Sequence, residues 1–408
     1  MLKQRRFFVF LAAVAALLAY FVLSAILSQG QPESNNLSAE KNSPEGGPAP
    51  QQGPLIETVL TGLSNPRGVV VLSDGSLMVA EAGTGRNAVD PQKWSGKLTH
   101  FHDTNSDGDF SDEGERTVWF QHLPTYNALS EYSTWRDEVS GAGDLLHHTD
   151  GHLYLSVDGG HDRIGLYEIS PYKRMGRNLS ALSNMTGLAF SRDHSQIYIT
   201  ESTANALSVI ALAEGERRKV TQFGALASGQ QSVPTGVAVD PRNGDLLVAL
   251  FTGSLVVEGE TIAFVPGDSV IVRVDPDDGA IEDAVLGLTT AIDVAVDGDG
   301  NIYVVEMTSG PADPIEPTHD LFDPDQPALH GGYLRFTGRV TRYAPDGSEE
   351  YLLAEGLDMP TNITLVSPGE IYISTGQGTP NRPIPGPDGP TTIVGEVIRI
   401  TLPDENQR

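Results

Sequence analysis

Cysteine is absent from the 408 residues. That excludes a disulfide framework, a thiolate zinc or iron–sulfur site, a thiol nucleophile and a lipid-modified cysteine. Basic residues are scarce, 26 Lys and Arg against 54 Asp and Glu, for a formal net charge of −28. A surface of that sign repels phosphate backbones, so no nucleic acid is expected as a partner. Long apolar runs are few, whereas Gly reaches 44 and Pro 27. Short strands and tight turns suit this composition. With 39% hydrophobic and 20% charged residues the bulk of the chain is globular.

One long apolar run stands at the N-terminus. Lys3, Arg5 and Arg6 precede an uncharged stretch from Phe7 to Leu27, which as a helix would span about 31 Å, the thickness of a bilayer core. The basic flank places the remainder on the extracytoplasmic side. Ser28-Gln29-Gly30 is a poor cleavage site, so residues 1–28 are expected to be an uncleaved signal anchor, with secretion after cleavage as the alternative. Residues 29–54 have hardly an apolar side chain and read as a disordered linker. The exported part, 55–408, carries 22 basic against 51 acidic residues, a charge that first of all keeps such a domain soluble.

A phrase recurs six times in that part: a proline or small residue, a β-rich run, a turn, and a second β-rich run. Pro66-Arg67-Gly68-Val69 with Leu77 to Glu81 is the first copy. Gly143-Asp144-Leu145, Thr186-Gly187-Leu188, Pro234-Thr235-Gly236, Ile292-Asp293-Val294 and Pro360-Thr361-Asn362 open the others. Third and fourth strands lie between, as in Gly338 to Tyr343 followed by Tyr351 to Leu353. The pattern predicts an all-β fold, a six-bladed β-propeller with four-stranded blades. After the sixth copy only one strand remains, Glu396 to Thr401, and the missing fourth lies at Ile56 to Leu60. The last blade is therefore expected to close with both ends of the domain, as a monomeric ring.

The repeat is similar to NHL-repeat and senescence-marker/gluconolactonase-like propellers. Over 55–402 it most resembles the ScyD/ScyE family of exported propellers, through Asn65-Pro66-Arg67-Gly68, the long Tyr- and Trp-bearing insertion after the first hairpin, and the Gly338-to-Tyr343 strand. The resemblance implies location and architecture more than chemistry. In the gluconolactonase-like relatives it implies a divalent metal held by an acidic residue and by Asn or Asp just before the Gly of first strands. The matching positions here are Arg67, Gly143, Thr186, Thr235, Ile292 and Thr361, none such a ligand. The acids fall one place later.

Propeller topology brings the starts of first strands, the ends of second strands and the following loops to one face. Asp144, Asp293 and Asn362 share one register position there; Glu81, Glu201 and Glu306 share another, with Asp158 one residue beyond. The insertions 83–95, 307–337 and 376–394, the Asp158-to-Arg163 loop carrying His161, and Tyr126 to Glu138 reach the same face. Oxygen ligands from several blades would suit a hard cation, while glutamates ending second strands also suit backbone capping. As a hydrolase the face would use metal-activated water with a carboxylate, His161 or His319 as base. No Gly-x-Ser-x-Gly, phosphate-loop or His-Glu-x-x-His motif occurs.

Asp103-Thr104-Asn105-Ser106-Asp107-Gly108-Asp109 matches the opening of a calcium loop, with alternating oxygen ligands and a turn glycine. Gly114 stands where an EF-hand has Glu, so the loop reads as a hairpin tip on the opposite face holding a structural Ca²⁺. Asp103, Asn105, Asp107, Asp109 through its carbonyl, and Asp112 or Glu115 are the expected ligands. Trp94 and Trp135 are candidates to line a pocket for a flat or sugar-like ligand, and Trp119 is a core candidate. Gly378 to Pro390 is a loop, with a lid as one role. Asn178, Asn184 and Asn362 head glycosylation sequons. Together these features point to a membrane-tethered ligand-binding or accessory propeller. The alternatives are a metal-dependent hydrolase using the rim acids, and a protein-interaction scaffold.

Overall fold

A computed structural model describes residues 53–86, 90–127, 137–158, 164–180, 185–253, 255–257, 260–262, 264–311 and 333–403. The expected anchor, most of the linker, His161, His319 and Trp135 lie outside them. Among the described residues no helix is long and apolar enough to cross a membrane.

Six antiparallel four-stranded sheets follow one another along the chain. Blade 1 has Pro66–Val71 innermost, then Leu77–Glu81, Gly96–Phe101 and Arg116–Leu123. Blades 2 to 5 begin at Val139–His147, Met185–Phe190, Pro234–Val239 and Ala291–Val296. In blade 6, Asn362–Ser367 and Glu370–Thr375 are followed by Gly395–Thr401, and Leu55–Leu63 adds the outer strand. Leu55 pairs with Thr401, Ile56 with Ile400 and Thr58 with Ile398. The expected closure is present. Two short hairpins, Leu255–Val257 with Glu260–Ile262 and Pro383–Gly386 with Gly389–Thr392, stand apart from the blades. A three-residue strand, Thr125–Asn127, extends blade 2 against Val139 to Gly141, where the repeat predicts only an interblade connection.

Second strands are buried along their whole length, as in Leu77–Glu81, Leu153–Val157 and Ile302–Glu306. A strand with covered faces on both sides needs no polar alternation, hence runs such as Leu246-Leu247-Val248-Ala249-Leu250. Between blades the cores interlock: Tyr198, Leu207 and Val209 of blade 3 pack with Leu246, Val248 and Val272 of blade 4.

At one level near the axis the inner strands carry Gly68, Asp144, Gly187, Gly236, Asp293 and Asn362, one per blade. Opposite them on the second strands lie Ala80, Ser156, Thr200, Ala249, Val305 and Ser374. The two sets are complementary across the seams. Where the next blade has Gly at the inner level, the preceding second strand has a hydroxyl. Ser156 donates to the Thr186 carbonyl at 3.1 Å, Thr200 to that of Thr235 at 2.5 Å and Ser374 to that of Arg67 at 2.5 Å. Where the next blade has Asp or Asn, the preceding second strand has only Ala or Val. The glycines are needed for the approach itself: a Cβ on Gly236 would overlap Asp293, and one on Gly68 would overlap the Asp144–Leu145 backbone. The seams after blades 2, 3 and 6 are thus bridged by a second-strand hydroxyl, and the Asp144 and Asp293 carboxyls reach across the seams that follow their own blades.

Candidate functional site

A cavity of about 540 Å³ opens at the face where the inner strands begin. Every blade contributes, since Arg67, Gly143, Thr186, Thr235, Ile292 and Thr361 all line it. Its size is that of small-molecule sites in general. Below this layer the ring of inner residues forms the floor, with Asp144, Asp293 and Asn362 in the lining.

The shared register brings those three together, as expected. Asn362 Nδ2 donates to Asp144 Oδ1 at 3.2 Å and to Asp293 Oδ2 at 2.9 Å. Backbone amides take further positions: Leu145 and Leu188 donate to Asp144, Val294 and Ile363 to Asp293, all at 2.8–2.9 Å. Two of these cross seams, from blade 3 to Asp144 and from blade 6 to Asp293. Loss of solvent raises the Asp144 carboxyl to about 6 against the pull of the Leu188 and Leu145 amides. Asp293 is raised well above the carboxylate range, first by burial and then by the neighbouring Asp144 charge. The pair holds a proton where isolated aspartates would not. Asn362 is 7% exposed and its Oδ1 has no hydrogen-bond partner. An asparagine this enclosed is closed to glycosylation, which removes the third sequon in the folded protein.

Arg67 supplies the cation of the lining. Its Nη2 donates to the Val139 carbonyl at 2.7 Å. Burial lowers its basicity, while Glu138, Asp158 and Tyr333 act against that fall. Glu138 in turn accepts from the Tyr333 hydroxyl at 3.0 Å. Tyr333 belongs to the 307–337 insertion and stacks on Phe264, with Phe251 edge-on. These aromatics, with Met307 and Met359, form an apolar cluster of which Phe251 and Met307 line the cavity.

The structure places Glu81, Glu201 and Glu306 away from the cavity lining. Glu81 accepts from the Ser64 amide and the Thr99 hydroxyl, with Lys97 and Arg116 at 3.3 and 3.5 Å. Glu201 pairs with Arg217 at 2.5 Å, and Glu306 with Arg339 and the Thr289 amide. All three are paired with basic side chains of their own blades, and Glu81 and Glu306 also with amides of the preceding interblade turns.

Other rim features come from insertions whose course is not written in the repeat. Asp137 and Arg382, each about 5% exposed or less, form an ion pair at 2.8 Å that ties the segment before blade 2 to the 376–394 insertion. Thr379 donates to Asp137 as well. Arg335 grips Asp358 through two nitrogens at 2.7 Å and donates to the Gln377 carbonyl. Far from a free lid, 376–394 is docked. Trp94 is buried, outside the cavity lining, while Trp119 is half-buried with Lys173 over its ring.

The hairpin 102–115 has the turn of a calcium loop but points its carboxylates at its own amides. Asp103 accepts from Ser106 and Gly108, and Glu115 from Thr104 and Asp112. Asn105 Nδ2 lies between Asp107 and Asp112 at 3.0 and 2.6 Å, in the place a cation would take. Asp109 serves Ser111. Among the described residues no three His, Asp or Glu converge as a metal cluster, here or at the axis. At the cavity the divalent metal of gluconolactonase-like relatives does not fit: Arg67 holds one of its positions and three threonines hold others.

A family model for the SMP-30/gluconolactonase/LRE-like region matches residues 56–291, more than half of the chain. The chain belongs to this family. No curated protein matches the sequence. Among solved structures, a Bacteroides thetaiotaomicron protein of unknown function is 10% identical, with a TM-score of 0.51 over 87% of this chain and 77% of that one. The calcium-binding protein regucalcin from Agrobacterium tumefaciens is 12% identical, with a TM-score of 0.49 over 86% and 96%. The PQQ-bound aldose sugar dehydrogenase from Streptomyces coelicolor is 11% identical, with a TM-score of 0.49 over 87% and 100%. At such identities the likeness concerns the fold.

Proposed function

We propose that this family member is a membrane-tethered, extracytoplasmic propeller of the ScyD/ScyE type that binds a small polar molecule in its axial cavity and acts as a binding or accessory protein. The observation that carries the reading is a cavity of about 540 Å³ to which all six blades contribute. Its walls combine charged groups with Phe251, Ile292 and Met307, the mixture of orienting polar and apolar contacts that small-molecule sites use. Ser202 sits in the wall and is half-buried. Ser202→Trp should fill the space and abolish ligand-dependent melting shifts across a metabolite panel while leaving the unliganded melting temperature within a few degrees. A panel that shifts the variant as much as the native protein contradicts the reading.

Family membership favours a second reading, a lactonase-like hydrolase. The lining argues against a metal-dependent version, since the metal positions hold Arg67, Thr186 and Thr235. Turnover of a lactone panel that EDTA abolishes would establish the hydrolase. A scaffold role would show as a protein partner co-purifying from membranes without any small-molecule shift. Anchoring through residues 7–27 predicts that the full chain stays with membranes after a high-salt wash and is released by detergent. Calcium at the 103–115 hairpin would require the Asn105 amide to turn its oxygen inward; a melting temperature that rises with calcium and falls with chelator is the expected sign.

A further inference from the structure

The chemistry of the cavity narrows the class of ligand, and this step rests on the proposed binding function. Four of its hydroxyls turn their protons away from the open space. Ser202 donates to the Pro234 carbonyl at 3.0 Å, Thr361 to that of Pro66 at 3.1 Å, Thr235 to that of Ala291 at 3.3 Å and Thr252 to Gln230 Oε1 at 2.8 Å. What such hydroxyls offer a ligand is lone pairs. The buried amides add to this. Asn362 Oδ1 and Gln377 Oε1 are enclosed acceptors without a hydrogen-bond partner, in residues 7% and 4% exposed that both line the cavity. Side-chain donors in the lining are Arg67 and the amides of Gln231 and Gln377, beside that of Asn362, which is spent on the two aspartates.

Charge points the same way. Arg67 is the single cationic side chain of the described lining, and Glu138 and Asp158 stand close enough to offset it. Asp144 and Asp293 are left with no cation between them, only the Asn362 amide and four backbone amides. A divalent ion would demand about 6–8 oxygens around it, and most of the carboxylate oxygens are already engaged. An ammonium needs three acceptors on one side.

We propose that the cavity takes a small organic cation rich in hydrogen-bond donors, a primary ammonium on a hydroxylated or short aliphatic body, with the ammonium against Asp144. The charged groups of the described lining are Asp144, Asp293, Arg67, Glu138 and Asp158, and Tyr333 bonds Glu138. Burial raises the Asp144 carboxyl to about 6. Binding should therefore strengthen about tenfold from pH 5 to pH 7.5, as the carboxylate becomes available.

The test is isothermal titration of the full protein in EDTA with two matched series. One is glucosamine, glucose and glucuronate; the other is 1,4-diaminobutane, 1,4-butanediol and succinate. The expected result is binding by the amine of at least one series, at least tenfold tighter than by its neutral and anionic counterparts. That preference should weaken at pH 5 and be lost in Asp144→Asn. Equal or tighter binding by a neutral or anionic member overturns the ligand class and leaves the cavity reading intact. Amine binding that survives Ser202→Trp, or that does not change between pH 5 and 7.5, overturns the placement. No binding by any of the six overturns both this inference and the binding reading.

Discussion

Asn362 of the closing blade donates one amide group to two aspartates, Asp144 of blade 2 and Asp293 of blade 5, at 3.2 and 2.9 Å. One side chain so links three blades across the axis of the ring. Its nitrogen faces two carboxyl oxygens that act as acceptors, which orients the amide with its donor toward them.

Removing that bridge should be costly. Asn362→Leu leaves two buried carboxylates facing each other with one donor fewer apiece, a loss of about 2–4 kcal/mol. Urea denaturation at pH 7.5 measures it, and the deficit should shrink at pH 4.5, where both acids are neutral. An equal deficit at both pH values would mean that the carboxylates do not repel.

The aspartate pair also sets the sign of a pH effect. Both folded-state values lie above the ordinary carboxylate value, so the folded protein holds protons that the unfolded chain releases. The contribution to stability is fully present below about pH 4 and is lost as pH rises through about 6. Asp293→Asn should therefore gain on the native protein as pH rises from 4.5 to 7.5. Parallel stability curves for the two proteins would contradict the assignment.

The seam hydroxyls predict small, similar effects at separate sites. Ser374→Ala removes the donor to the Arg67 carbonyl at the seam between the last and first blades, and Thr200→Ala the equivalent donor between blades 3 and 4. Each should cost about 1–2 kcal/mol in urea denaturation, additively, because the two seams share no partner. Replacement of Ala249, whose seam is bridged by the Thr235 hydroxyl to the Ala291 carbonyl, by Ser should bring no comparable gain.

At the rim, Arg382→Met strands Asp137 in a dry site. A loss of about 3–5 kcal/mol is expected, with faster proteolysis within 379–392 as the docked insertion loosens. Asp137→Asn combined with Arg382→Met should recover part of that loss. Protection unchanged in the single variant would show that the pair does not hold the insertion down.

The fold was legible because each blade repeats a pattern that buries itself only against its neighbours, and the two end strands completed each other. The shared level of Asp144, Asp293 and Asn362 followed from the same repeat. Glu81, Glu201 and Glu306 do stand at second-strand ends, but the repeat could not show which of their neighbours was basic. Lys97 and Arg339 on the adjoining strands, and Arg217 on the outer strand of its blade, were the signal that would have found those ion pairs. Glu138, Tyr333, Gln377 and the Asp137–Arg382 pair come from insertions, whose docking depends on contacts about 200 residues apart and on no local period.

The most direct test of the account is a pH titration of the aspartate side-chain carboxyls by carbon-13 NMR. Asp144 and Asp293 are expected to titrate as a pair, one midpoint near 6 and the other higher, both collapsing toward ordinary values when the protein is unfolded in urea. Native protein in which every aspartate titrates below pH 5 would mean that no two acids meet at the axis.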